Sequence, residues 1–294
     1  MSPTPLERLA LYFSALRTRQ ALLARADLGL TDPGDADLSA RLAHDLAAEL
    51  RPDGSVGGAA MPTIWRAHEL MDLGRTRGDV ALARLVMWML DRQDAPGAYG
   101  EGCDRARHTQ RICAHYIGGF FSAGPATERL APITLPNGKA FRAEPAARFA
   151  ISCLALRAVL RAGVVERPAV TRHLDSLRLL AEGWTDWSGF FAADVIIAGL
   201  HALALGGAPY RPTVERLADL VAGQQQVDGR WNGADLFQTI EALLATGLPV
   251  ARRAVRHAVP ALEERQRADG SFGATAQQER ALIGLRAMRW AQGR

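Results

Sequence analysis

The chain has 294 residues, of which 48% are hydrophobic and 22% are charged, so it can bury a large core and is not intrinsically disordered. Its formal net charge is only +4 and its basic residues are scattered, which argues against nucleic acid as a partner. No apolar run is long enough to span a membrane, the N-terminus lacks a signal-peptide pattern, and three cysteines do not suggest a disulfide framework. A cytoplasmic protein is expected.

The chain is predicted to divide into two parts. Residues 1–35 are predicted to form a helix over about residues 5–25, packed outside the main domain, and a linker. Residues 36–294 are predicted to form one domain of repeats, because a turn glycine recurs about every 40–50 residues. These glycines are Gly54, Gly97, Gly138, Gly189, Gly229 and Gly270.

Each turn follows an amphipathic helical stretch and precedes a more apolar one, such as VERLADLVAGQQQ and ADLFQTIEALLATG on either side of Gly229. The repeating unit is therefore a helical hairpin, and no strand is predicted. Six such hairpins are expected to close into a ring, since closure buries the apolar flank of the first hairpin against the last. The fold class predicted is all-α, a single (α/α)6 toroid with the second helix of each hairpin in the inner ring. The longer interval from Gly138 to Gly189 predicts an insertion there.

Two of the turns carry a motif. QQVDGRW at 225–231 and QRADGSFG at 266–273 resemble the QxxDGxW/F repeat of the terpenoid cyclase and protein prenyltransferase toroids, and the resemblance extends over about residues 36–294. It implies a central cavity that holds an isoprenoid or similar apolar ligand. It also implies structural roles for two Gln–aromatic pairs, Gln225 with Trp231 and Gln266 with Phe272.

Acidic residues stand a few positions after several turn glycines, where inner helices are predicted to start: Asp104, Glu144, Asp194 and Asp235. Carboxylates at this position often cap the helix by accepting hydrogen bonds from free backbone N–H groups. The alternative is an acidic rim that holds a proton or a divalent metal ion. Asp194, Asp235, Asp104, His108 and Glu144 are the catalytic candidates, and a catalytic Asp194 or Asp235 is expected to face the cavity with a raised pKa.

A polar stripe is predicted in the second repeat, where Asp104, His108, Arg111 and His115 have the spacing of one helix face. This stripe is expected either to line a water-filled cavity or to face the solvent. Aromatic rings can stabilise a carbocation, and arginines can bind a diphosphate. The substrate-binding candidates are Trp65, His68, Arg111, His115, Arg148, Phe149, Phe191, Phe237, Gln238, Glu241 and Arg280.

Cys103, Asp104 and His108 offer three zinc-competent side chains within six positions. The protein prenyltransferases that the chain resembles bind zinc through Asp, Cys and His from separated repeats, but their Asp-x-Cys element is not found. No metal site and no cofactor are therefore predicted, with Zn²⁺ or Mg²⁺ as the alternative.

The motifs of the resembled enzymes are incomplete. The DxDD element of class II cyclases is reduced to Asp194, and the DDxxD motif of diphosphate ionisation is absent. The first hypothesis is a terpenoid cyclase-like or prenyltransferase-like enzyme that acts by acid-initiated cyclisation or prenyl transfer. The alternatives are a non-catalytic ligand-binding toroid and a partner-binding subunit. A small isoprenoid is the expected ligand, and peripheral membrane contact, a protein partner or a homo-oligomer are compatible with each hypothesis.

Overall fold

The computed structural model describes residues 3–92, 100–103, 115–118, 130–187 and 192–293. Twelve α-helices lie within these ranges: α1 Pro5–Ser14, α2 Arg19–Leu28, α3 Asp35–Ala48, α4 Ala60–Asp72, α5 Val80–Asp91, α6 Glu144–Arg161, α7 Pro168–Glu182, α8 Ala192–Leu203, α9 Arg211–Gly223, α10 Leu236–Thr246, α11 Pro249–Glu263 and α12 Gln277–Ala291. Two antiparallel strand pairs accompany them, β1 Gly100–Cys103 with β2 His115–Gly118 and β3 Ile133–Thr134 with β4 Ala140–Phe141. None of the helices in the described ranges could cross a bilayer.

The helices pair into six hairpins, and the second helix of each hairpin stands in an inner ring. Around this ring α2 contacts α4, α4 contacts α6, α6 contacts α8, α8 contacts α10, α10 contacts α12, and α12 contacts α2. The ring is therefore closed. The predicted all-α, single (α/α)6 toroid is confirmed.

The turn glycines explain how successive hairpins dock. Three of them, Gly54, Gly229 and Gly270, have a positive φ between +80° and +90° and lie against the main chain of the following outer helix, whereas Gly97 and Gly189 lie outside the described residues. An added Cβ would lie 2.8, 2.3 and 2.5 Å from a carbonyl oxygen at Gly54, Gly229 and Gly270, and those oxygens belong to Arg84, His257 and Arg8. Since Arg8 is in α1, the last hairpin packs against the first one through the same contact that Gly54 and Gly229 make with the hairpins after them.

The paired Gln and aromatic residues join the same elements. Gln225 Nε2 donates to the carbonyls of Gly229 in its own turn and Ala254 in the next outer helix, both at 2.9 Å. The Trp231 indole N–H donates to the carbonyl of Val221 in α9 at 2.7 Å. Gln266 Nε2 likewise reaches the carbonyl of Pro5, at 2.9 Å, so this amide closes the ring.

The prediction of one N-terminal helix over 5–25, packed outside, is wrong. The hydroxyl of Thr18 accepts from the N–H of Ala21 and starts a second helix, so that α1 is an outer helix and α2 an inner one. Thr18 thus acts as an N-cap in the middle of the segment, and the segment forms two helices instead of one. The domain boundary after residue 35 stays a prediction.

The repeat assignment also changes in the middle of the chain. The turn predicted at Gly138 joins β3 to β4 and not two helices of the ring, and Gly97 lies outside the described residues. Helix α5 pairs with α6, and a long insertion, residues 92–143, separates these two helices in sequence. The insertion therefore precedes α6 instead of following it.

The expectation that the chain contains no strand is wrong as well. His115 lies in β2, opposite Cys103 in β1, so it is not part of the helix face predicted for it. Glycines at 100, 102 and 118 disfavour a helix in these segments, and cross-strand hydrogen bonds satisfy the backbone instead. Asp104, His108 and Arg111 lie outside the described residues.

Candidate functional site

A cavity of about 570 Å³ occupies the centre of the toroid. All six inner helices contribute to its wall, mostly through residues between the middle and the C-terminal end of the helix, while Arg19 and Glu279 lie in the first turns of α2 and α12. The tip of the β3–β4 hairpin forms its floor. The side chains that line it are about half apolar, and they belong to Arg19, Asp27, Trp65, His68, Asp72, Leu135, Pro136, Asn137, Leu154, Arg157, Arg161, His201, Leu205, Glu241, Leu244, Ala245, Glu279, Leu282, Ile283, Arg286, Arg289 and Trp290.

A chain of ion pairs runs across one side of the wall. The buried Arg19 guanidinium in α2 pairs with Asp72 of α4 and Glu279 of α12. Arg161 binds the other oxygen of Asp72 at 2.6 Å. Burial raises the pKa of the Glu279 carboxyl, and the charge of Arg19 opposes that shift. Arg19 therefore connects the first inner helix to both of its neighbours.

Two buried histidines stand beside these arginines. His68 Nδ1 lies 2.9 Å from Arg161 Nη1, and its Nε2 lies 3.1 Å from the carbonyl oxygen of Leu154. Because arginine can only donate, Nδ1 must accept and Nε2 must carry the proton. Burial, reinforced by the charge of Arg157, holds the pKa values of His68 and His201 well below the usual range. Both rings are neutral.

The floor is fixed by polar contacts of the β3–β4 hairpin. Asn137 Nδ2 donates to Glu241 Oε2 at 2.9 Å, and the other carboxylate oxygen accepts from Arg157 at 3.2 Å. The Asn137 carbonyl accepts from Arg280 Nε at 2.9 Å. Gly138, with φ +85°, lies against the Arg280 guanidinium, where a Cβ would be 2.7 Å from Nη2. The hairpin thus fills the level at which the inner helices begin.

Asp194, at the start of α8, lies beside this hairpin. Its Oδ1 is 2.7 Å from the Lys139 ammonium. Burial raises the pKa of the Asp194 carboxyl, Lys139 opposes the shift, and the Asp235 carboxylate adds to it. Asp235 caps α10, because its Oδ1 accepts from the N–H of Gln238 at 3.0 Å. Neither carboxylate is among the residues that line the central cavity.

Glu144, paired with Arg148 in the first two turns of α6, binds the segment that precedes the β3–β4 hairpin. The Glu144 carboxylate accepts from the N–H groups of Leu130 and Ala131, at 2.9 and 2.7 Å, and binds Arg148 at 2.7 Å. Burial favours a higher pKa for Glu144, but these hydrogen bonds outweigh it and lower the pKa. The pair anchors the insertion to the start of α6.

The predicted substrate-binding residues divide into three groups. Trp65, His68 and Glu241 line the cavity. Others pack elsewhere: the Phe149 ring meets the Trp184 ring edge-on at 6.2 Å, and Phe237 lies between Phe272 and Arg280, at 5.4 and 5.1 Å. Gln238 lines a smaller cavity. Arg111 and Phe191 lie outside the described residues, and His115 is placed only as a member of β2.

Sequence analysis missed much of the polar wall: Arg19, Asp72, Arg157, Arg161, His201 and Glu279. A pattern that could have identified two of them is the pair Arg157 and Arg161, one helical turn apart in an otherwise apolar helix, FAISCLALRAVLR. His201 in AADVIIAGLHALALGG is a similar polar exception.

Metal binding is not supported by the described part of the chain, which contains no group of three His, Cys, Asp or Glu side chains able to hold an ion. Two of the weak candidates, Asp104 and His108, lie outside that part. The expected absence of a metal therefore stays a prediction.

Solved structures that share this fold include type II terpene cyclases. The type II terpene cyclase MstE from Scytonema, in complex with geranylgeranyl dihydroxybenzoate as substrate, matches 97% of this chain and 88% of its own at 15% identity, with a TM-score of 0.56. This chain has the terpenoid cyclase-like α/α-toroid fold. A protein from Actinoplanes matches 98% of this chain and 89% of its own, at 15% identity and with a TM-score of 0.57. The ent-copalyl diphosphate synthase from Streptomyces platensis matches 98% of this chain and 51% of its own, at 15% identity and with a TM-score of 0.51. No protein-family model and no curated protein sequence matches this chain.

Proposed function

We propose that the toroid is a terpenoid cyclase-like enzyme that binds an isoprenoid in the central cavity. The observation that carries the proposal is the cavity itself: about 570 Å³ is within the range of small-molecule sites, roughly 300–1,000 Å³. Its place at the centre of the ring is where the resemblance implies such a ligand. Structures with this fold contain geranylgeranyl dihydroxybenzoate and merosterolic acid A.

The composition of the wall supports an amphiphilic isoprenoid. Leu154, Leu205, Leu244 and Ile283 offer apolar surface to a hydrocarbon chain. Trp65 and Trp290 also line the cavity, and aromatic rings can stabilise a carbocation by cation–π attraction. Arginines of the same wall can bind an anionic group of the substrate.

Cyclisation requires a proton donor, and Glu279 is the candidate that lines the central cavity. Burial raises the pKa of its carboxyl, which increases the neutral fraction. Transfer of that proton to an alkene would use the π electrons for the new C–H bond and leave a carbocation on the other carbon, with Glu279 becoming a carboxylate beside Arg19. Asp194 is the second candidate, because its carboxyl also has a raised pKa. It lies beside the β3–β4 hairpin and outside the lining of the central cavity, so its role requires a substrate that extends past the hairpin. Catalytic roles for Asp104, His108, Glu144 and Asp235 stay predictions.

A non-catalytic ligand-binding toroid is the second candidate function. The observation in its favour is the ion pair of Asp194 with Lys139, which stabilises the carboxylate and so weakens the acid. Binding of an isoprenoid without turnover would be the outcome expected of this alternative.

Turnover can be tested with geranylgeranyl diphosphate and geranylgeranyl dihydroxybenzoate, with and without Mg²⁺. Proton-initiated cyclisation that ends in proton loss gives an isomer of the substrate, which mass spectrometry identifies by an unchanged mass and a changed retention time. Prenyl transfer would release inorganic diphosphate instead. An Asp194→Asn variant should lose roughly 10²–10⁴-fold in rate if Asp194 is the donor, whereas loss only in Glu279→Gln would assign the role to Glu279.

Binding can be tested separately from turnover. Ala245 lines the cavity, so Ala245→Phe should obstruct it and abolish binding, as followed by calorimetry. Val227→Phe is the matched control because Val227 is 97% exposed. Equal binding by both variants would contradict the central cavity as the site. Absence of any cyclised product with binding intact would favour the non-catalytic alternative.

A further inference from the structure

A second, much smaller cavity of about 20 Å³ adjoins the floor of the central one. The β3–β4 hairpin, α6, α8 and α10 enclose it. The two cavities share Leu135, Asn137, Leu154, Arg157, His201 and Glu241. The smaller one additionally reaches Gln238, whose side chain the central cavity does not touch.

Two buried polar atoms belong to residues that line this space. Arg157 Nε and Gln238 Oε1 have no hydrogen-bond partner within the described part of the chain. The first is a donor and the second an acceptor, so they are complementary to one bridging group. Gln238 is only 4% exposed, and its cap with Asp235 uses its backbone N–H and leaves the side-chain amide unengaged by that contact.

We propose that this small cavity binds one water molecule, which accepts a hydrogen bond from Arg157 Nε and donates one to Gln238 Oε1. The volume matches this ligand, since a site needs roughly 10–15 Å³ to hold one water and two to four polar partners to retain it. The neutral His201 ring also lines the site and can supply a third partner.

Ions of either sign fit less well. The guanidinium of Arg157 repels a cation. The Glu241 carboxylate, bound by Arg157 and Asn137 at the edge of the site, repels an anion, and Gln238 presents an acceptor to it. A hydrated ion or an organic group would exceed the available volume.

The water would connect α6 to α10, two inner helices that both contact α8. It would also fix the Arg157 guanidinium, which holds Glu241 and through it the tip of the hairpin. This inference does not depend on the proposed enzymatic activity.

A crystal structure of the full chain, at a resolution that reveals ordered water, tests the proposal. One density peak is expected about 2.7–3.2 Å from both Arg157 Nε and Gln238 Oε1. A vacant site, a Gln238 amide bonded directly to protein, or an anomalous peak there after a bromide soak would overturn it.

Variants supply the control. Gln238→Leu removes the acceptor and should lose the peak, and Gln226→Leu, at an exposed position, should keep it. If Gln238→Leu does not fold, Gln238→Glu, which keeps an acceptor oxygen, must keep the peak. A peak that persists in a folded Gln238→Leu protein would show that Gln238 is not a ligand and refute the assignment.

Discussion

Acidification should destabilise the toroid through His68 and His201. Both rings are buried and neutral, since burial and the nearby charges of Arg157 and Arg161 hold their pKa values well below the usual range. The same histidines in the unfolded chain have a pKa of about 6.5. Below that value the unfolded state binds more protons than the folded state, so stability is present at higher pH and is lost as the pH falls.

The magnitude follows from this difference in proton binding. Between pH 8 and pH 5.5, protonation of one histidine in the unfolded state alone lowers the free energy of unfolding by about 1.4 kcal/mol, and by about 2.8 kcal/mol for two independent residues. Chemical denaturation at a series of pH values measures this change. The carboxyls of Asp194 and Glu279 have raised pKa values in the folded state, so above their unfolded pKa values they make the free energy of unfolding fall as the pH rises. This effect opposes that of the histidines, and the pH dependence must therefore be compared between variants.

Three variants separate the two histidines from the other groups. His68→Gln and His201→Gln cannot titrate, and each should reduce the pH dependence by about 1.4 kcal/mol over that interval. His44→Gln, at an exposed position, is the control and should leave it unchanged. If both buried variants show the pH dependence of the unmodified protein, the histidines are not neutral and buried as the structure places them, and the reasoning is refuted.

Three further predictions concern ring closure, turn geometry and metal. Arg19→Met should lower the free energy of unfolding by about 3–5 kcal/mol in urea denaturation, because it leaves buried carboxylates without a partner. Arg17→Met, at a largely exposed ion pair, is the control and should change the free energy of unfolding by less than about 1 kcal/mol. Equal effects would contradict the role of Arg19 in closing the ring. Gly229→Ala should be more destabilising in thermal unfolding than Gly233→Ala, since both glycines have positive φ but only the first meets a neighbouring carbonyl; equal losses would contradict the close approach. Elemental analysis of protein purified without added metal should find no stoichiometric zinc, and one tightly bound zinc that disappears in Cys103→Ala would overturn this.

The repeat was readable from the sequence because its determinants are local. A turn glycine such as Gly229 needs a positive φ and a close approach to the next helix, and only glycine meets both needs. Gln225 and Trp231 bond within one hairpin and to its immediate neighbour, so their spacing recurs wherever the contact recurs. Helical periodicity then predicted the hairpins, and closure followed from the apolar flanks.

The tertiary structure decided which segments complete the ring and where the site lies. Acidic residues at a nearly fixed distance after each turn glycine predicted that the cavity lies at the starts of the inner helices, near Asp194 and Asp235. The β3–β4 hairpin occupies that level, so the open space is displaced toward the other ends of the helices, beside Arg157 and His201. No local pattern reports such an insertion, because the contact of Asn137 with Glu241 joins residues more than 100 positions apart in sequence. The charge of Arg19 is likewise neutralised across the ring, by carboxylates from α4 and α12 that come together only when the ring closes.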